Sequence, residues 1–77
     1  MTKKEFLGLV EEILEVDAGS LTGEEEIADL AGWDSLAVVS FIAMIDEELD
    51  LTLKPDQIAQ AKSLQELMNL LGDNLTN

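Results

Sequence analysis

The sequence contains no cysteine and no histidine. The first absence removes disulfides, thiolate metal sites and a cysteine nucleophile. The second removes the commonest general base and the commonest zinc ligand. Arginine and tyrosine are missing as well, so little remains for autonomous catalysis and the expectation is a protein that is not itself an enzyme. Basic charge is scarce. Lys3, Lys4, Lys54 and Lys62 stand against 17 acidic residues, for a formal net charge of −13. Tracking a phosphate backbone needs clustered Lys and Arg, so a nucleic-acid partner is excluded. An anionic membrane surface would repel the chain for the same reason. Nothing approaches the roughly 20 consecutive apolar residues of a membrane span. Lys3-Lys4 before Phe6 briefly resembles the start of a signal peptide, but Glu11, Glu12 and Glu15 interrupt any apolar stretch behind it and equally oppose an organelle transit peptide. The expectation is a cytoplasmic, discrete protein, beginning at Met1 and forming a monomer.

What is present is a core. Of 77 residues, 47% are hydrophobic, too many for a disordered acidic tail. The length allows one small domain over residues 1–77, with a net stability of only about 3–5 kcal/mol. Crowded carboxylates repel, so their folded-state proton affinity is expected to rise and moderate salt to stabilise the fold.

Helical spacing organises the chain. Thr2 and Glu5 fit a capping box opening a helix over 3–16, with Phe6, Leu7, Val10, Ile13 and Leu14 inward and Lys4, Gly8, Glu11 and Glu15 outward. Residues 17–33, with Gly19, Gly23, Gly32 and the Glu24-Glu25-Glu26 run, read as a long loop with one short turn between Glu25 and Leu30. Leu21, Ile27 and Leu30 are expected to pin it to the core. A loop of this length in a compact domain is often functional. A second helix over 35–49 carries the strongest periodicity, Val38, Phe41, Ile42, Ile45 and Leu49. Pro55 opens a short helix over Asp56 to Ala59. Ser63 and Glu66 form a second capping box ahead of Leu64, Leu67, Met68 and Leu71, and Gly72 ends that helix. The tail from Asp73 to Asn77 is expected to fray. The fold class is therefore all-α, a small four-helix bundle of three long helices and one short, with a long loop between the first two.

One segment stands out: Gly32-Trp33-Asp34-Ser35-Leu36, where the long loop enters the second helix. On its own, Asp34-Ser35 before an apolar run is most simply a helix cap. Ser35 lacks a histidine to activate it and is a poor enzymatic nucleophile. Trp33 either packs the loop over the bundle, or lies beside whatever Ser35 carries or at a partner contact. Asp46, Glu47, Glu48 and Asp50 attract divalent cations weakly at most, without EF-hand spacing, and no metal site is expected.

Set in an acidic chain of this size, with this helix order and loop, the Asp34-Ser35-Leu36 triplet resembles the attachment motif of the acyl carrier protein family. The resemblance spans the whole chain. It implies that Ser35 carries 4′-phosphopantetheine, transferred from coenzyme A by a phosphopantetheinyl transferase, with Asp34 and Leu36 in that enzyme's footprint. It also implies that the arm's thiol holds acyl groups as thioesters. A helix N-terminus at Ser35 suits an attached phosphate, and Asp34 can cap the helix while Ser35 is modified. Carriers of fatty-acid synthesis usually place acids where this chain has Ala37 and Ser40, and a Trp before the triplet also occurs in polyketide and peptide-synthetase carriers. The resemblance therefore points to a specialised carrier rather than a housekeeping fatty-acid one. Such carriers dock through the second helix. Here its outward face holds Leu36, Val39, Ser40 and Ala43, with Glu47 and Glu48 further along. Acyl-loading and acyl-processing enzymes with basic surfaces would meet an apolar contact near Ser35 and the two acids beyond. The rival reading is an unmodified acidic interaction module.

Overall fold

The computed structural model describes residues 1–76. Four α-helices account for its regular structure: α1 (Lys3–Leu14), α2 (Ser35–Leu49), α3 (Pro55–Gln60) and α4 (Leu64–Leu71), with short 3₁₀ turns at Ile27–Asp29 and Gly72–Asn74. The radius of gyration is 11.1 Å, against about 11.5 Å for a compact chain of this length, so the long loop lies on the bundle and does not swing away from it.

Each helix starts where local chemistry satisfies its free N–H groups. Thr2 Oγ1 accepts from Glu5 N at 3.1 Å and Glu5 Oε1 accepts from Thr2 N at 3.0 Å, a complete capping box. Glu15 closes α1 in the left-handed region, φ 58°, one residue before the expected end of the helix at 16. At α3, Pro55 is the first helical residue and Gln57 Oε1 accepts from Lys54 N at 2.9 Å. The second expected capping box is only half formed. Ser63 Oγ accepts from Glu66 N at 3.2 Å, but the Glu66 carboxylate accepts from Lys62 N at 2.8 Å. The Glu66 side chain thus secures the residue preceding the cap.

The core joins all four helices. Phe6 and Val10 of α1, Phe41 and Ile45 of α2, Ile58 of α3, and Leu64, Leu67, Met68 and Leu71 of α4 are buried. Phe6 and Phe41 cross edge to face, with centroids 5.8 Å apart and planes at 87°, a favoured aromatic geometry. On α2 the fully buried line is Ala37, Phe41 and Ile45, one helical turn apart, while Val38, Ile42 and Leu49 are half-buried at its margins. The expected stripe was therefore centred slightly to one side, because Ala37 is small enough for helix packing to close over it. Gly8 lies within α1 with nothing within 4 Å of where a Cβ would stand. A glycine there costs about 0.5–1 kcal/mol relative to alanine, and no close neighbour requires it.

Glu11 corrects the expected outer face of α1. It is 6% exposed, and its Oε2 accepts from Gly19 N at 2.9 Å and Leu21 N at 3.0 Å. A charged group below the loop is tolerable because two backbone donors meet it. Further on, the loop pairs with the α3–α4 connection, through Ile27 N to Lys62 O at 2.8 Å and Leu64 N to Glu25 O at 3.0 Å. As expected, Leu21, Ile27 and Leu30 pack on the core.

The tail departs from the expected fraying. Lys3 N donates to Thr76 O at 2.8 Å and Thr76 N to Met1 O at 2.7 Å, a single parallel bridge between the two ends of the chain. The 3₁₀ turn at Gly72–Asn74 and Asn74 Nδ2 on Leu71 O (3.1 Å) lead the chain there. Asn77 lies outside the described residues.

Candidate functional site

The long loop delivers Ser35 to the start of α2. Gly32, at φ 89°, turns the chain in the left-handed region, with Leu14 Cδ2 3.7 Å from its would-be Cβ. A β-carbon there would be strained by the backbone conformation alone. Trp33 then packs inward. Its indole meets Phe41 at a centroid distance of 5.9 Å and an interplanar angle of 64°, and it lies half-buried against the core. Of the placements open for Trp33, the packing one is present, and the side chain also borders the cleft beside Ser35.

Asp34 is the N-cap. Its Oδ1 accepts from Ala37 N at 3.0 Å, and its backbone carbonyl accepts from Val38 N at 3.0 Å. Capping turns the carboxylate onto the helix end and leaves the next residue outermost. Ser35 is the first residue of α2 and exposed. The N–H groups of the first helical turn have no partner further back in the helix, and they give this end a partial positive charge. A phosphodiester on the Ser35 hydroxyl would lie against that charge.

Beside Ser35 is an apolar cleft of about 460 Å³, walled by Ile27, Trp33, Val38, Val39, Pro55 and Ile58. It brings together the 3₁₀ turn, the motif, α2 and α3, elements whose proximity the sequence alone left open. The wall from Ile27 is placed by the loop's pairing with Lys62, a long-range contact without a local sequence signal. The donor set thus fits a phosphopantetheine group: an accessible hydroxyl, a helix end for the phosphate and an adjoining apolar surface. Among the described residues, no three His, Cys, Asp or Glu side chains are grouped to hold a metal ion.

The outward face of α2 is placed as expected. Leu36 is 77% exposed and Val39 62%, and Ser40, Ala43, Glu47 and Glu48 are exposed along the same helix. Among the described residues, Val16 on the loop is the other exposed large hydrophobic. Among the described residues, no helix is long and apolar enough to cross a membrane.

Two carboxylates are shifted in the direction opposite to that expected from crowding. The Thr2 backbone N–H beside Glu5 holds its carboxyl below the usual range. The Thr22 backbone N–H does the same for Glu25, which also accepts from Gly23 N at 2.9 Å. Hydrogen bonds to the charged form outweigh diffuse repulsion at these positions.

Comparison with known proteins agrees with this geometry. The family described as "Phosphopantetheine attachment site" matches residues 4–71. Among curated proteins, the chain is similar to the acyl carrier protein of Petrotoga mobilis, with 29% identity over 79 aligned positions covering 97% of this chain and 93% of that protein. No solved structure matches at the same stringency. With the match running from the first turn of α1 to the last residue of α4, the chain belongs to the phosphopantetheine attachment-site family, a family of carriers rather than of catalysts.

Proposed function

We propose that Ser35 is the residue that accepts 4′-phosphopantetheine, and that the loaded protein presents acyl groups, held as thioesters, to partner enzymes. The observation that carries this reading is the exposed Ser35 on the first turn of α2, next to the capping Asp34 and an apolar cleft. Apart from the Ser35 hydroxyl, which takes up the arm, the chain's own residues position and do not react. Asp34 fixes the helix end, Gly32 and Trp33 set the approach of the loop, and the cleft offers apolar cover close to the attachment point. The thiol absent from the sequence would be supplied by the arm.

Partners in this reading are a phosphopantetheinyl transferase and acyl-loading and acyl-processing enzymes of fatty-acid, polyketide or related biosynthesis. Leu36 and Val39 form the apolar part of the docking face, with Ser40 and Ala43 between them and Glu47 and Glu48. The acids favour a basic partner surface and raise its association rate by steering. The buried Ala37 and the uncharged Ser40 leave the helix beside Ser35 without acidic side chains, which favours a specialised pathway over housekeeping fatty-acid synthesis. An unmodified interaction module would need none of this arrangement at Ser35, and the family match favours the carrier. The test is incubation with coenzyme A, magnesium and a broad-specificity transferase, followed by intact mass. One phosphopantetheinyl addition is expected, lost in Ser35→Ala. Addition that persists in Ser35→Ala refutes the assignment.

A further inference from the structure

A second apolar groove, of about 510 Å³, lies between α1 and the loop and shares no residue with the cleft at Ser35. Leu7, Ala18 and Leu21 supply its apolar walls, Gly8 one open side, and Lys3 and Lys4 its charged border. Three observations make it more than a surface irregularity. The Glu11 carboxylate, bound to Gly19 N and Leu21 N, holds the loop in place, so the groove is preformed. Gly8 is helical and uncrowded, so neither a left-handed backbone nor a tight contact requires glycine there. What its missing side chain does is keep the groove open. Lys3 and Lys4 are two of only four basic residues in a chain of net charge −13, and the Lys3 side chain is folded onto the loop, its Cε 2.9 Å from the would-be Cβ of Gly23. Glu11 is the acid bordering the groove, and its Oε2 is occupied by the loop.

We propose that this groove binds an aliphatic carboxylate, a free fatty-acid anion, with its chain along Leu7, Gly8, Ala18 and Leu21 and its carboxylate at Lys3 and Lys4. An apolar wall alone would accept any hydrocarbon. The two lysines at its border favour an anionic head, and an exposed charge is attracted chiefly by neighbours within a Debye length, about 8 Å at physiological salt. The site goes beyond the carrier reading and does not depend on it.

The experiment uses ¹⁵N-labelled Ser35→Ala protein, so modification cannot contribute. It is titrated with decanoate below its micelle concentration, at about 0.15 M salt. Saturable shifts are expected at the amides of Gly8, Ala18, Gly19 and Leu21, with the Trp33 indole N–H unmoved. Decanol, which has the chain without the charge, should bind more weakly. Lys4→Gln should weaken decanoate binding about two- to fivefold, the worth of one exposed charge contact. Gly8→Leu should abolish binding while the melting temperature holds or rises. The proposal is overturned if the shifts centre on Trp33 and Ile58, if decanol binds as tightly as decanoate, or if Gly8→Leu binds like the parent protein.

Discussion

Trp33 lies edge-on to Phe41, ring centroids 5.9 Å apart, so the residue two positions before the candidate attachment serine is anchored on a side chain with no solvent exposure. The loop's approach to α2 is thereby tied to the centre of the bundle. Replacing Trp33 by alanine should destabilise the fold by about 2 kcal/mol, below the 3–5 of a fully buried aromatic because Trp33 is half-buried. Trp33→Phe should recover most of that. Urea unfolding followed by circular dichroism measures both, and equal stability of the alanine and parent proteins would refute the anchoring role.

Asp34 acts through one hydrogen bond to Ala37 N. Asp34→Ala should cost about 1 kcal/mol, whereas Asp34→Asn, also a good cap, should stay within a few tenths. If Asp34→Asn keeps stability but loses modification by the transferase, the carboxylate has a second role in enzyme recognition beside its cap.

The two faces of α2 make opposite predictions. Leu36→Asp and Val39→Asp, at exposed positions, should impair modification or loading while shifting the melting temperature by only a few degrees. Phe41→Ala, at a fully buried one, should destabilise by about 3–5 kcal/mol, comparable with the whole stability of a domain this small. Unfolding by Val39→Asp, or a stable Phe41→Ala, would invert the assignment.

Glu11 satisfies two backbone donors. Truncation to alanine strips Gly19 and Leu21 of their acceptor and should cost about 1–3 kcal/mol. Amide exchange should accelerate at those two positions ahead of the helices. Uniform acceleration throughout the bundle would show that Glu11 supports the entire fold and not the loop.

Acid should weaken two local contacts. Glu5 and Glu25 have folded-state proton affinities below their unfolded ones. Their contribution is present above the unfolded value, about 4.3 for glutamate, and is lost as pH falls through the lower folded value. Glu25→Gln should therefore be less stable than the parent protein at neutral pH and equal to it in acid. Melting curves across this range check the sign; a gap that widens on acidification would contradict it.

The helices were legible because their signals are local. Thr2 with Glu5 and the apolar spacing along α2 and α4 each act within one or two turns. Leu64, Leu67, Met68 and Leu71 are all buried as their spacing requires. The motif was legible for the same reason, since Asp34 caps the helix that Ser35 begins. Glu11 was not. Periodicity placed it outward, and its partners lie 8 and 10 residues away in a loop where nothing in the sequence marks an acceptor. The bond from Ile27 to Lys62, which helps shape the cleft beside Ser35, is longer in range still. Glu66 shows the limit of motif reading: the right residues are present, but the carboxylate reaches one amide further back.

The bridge between Thr2 and Thr76 has a mechanical meaning. The two ends of the described chain leave the bundle side by side, so a longer polypeptide could carry this unit as an insertion without its own path being diverted. Tension applied across such a graft would fall first on the backbone bonds joining Met1, Lys3 and Thr76. They would open before force reached the packed helices, leaving Ser35 and its cleft outside the line of load.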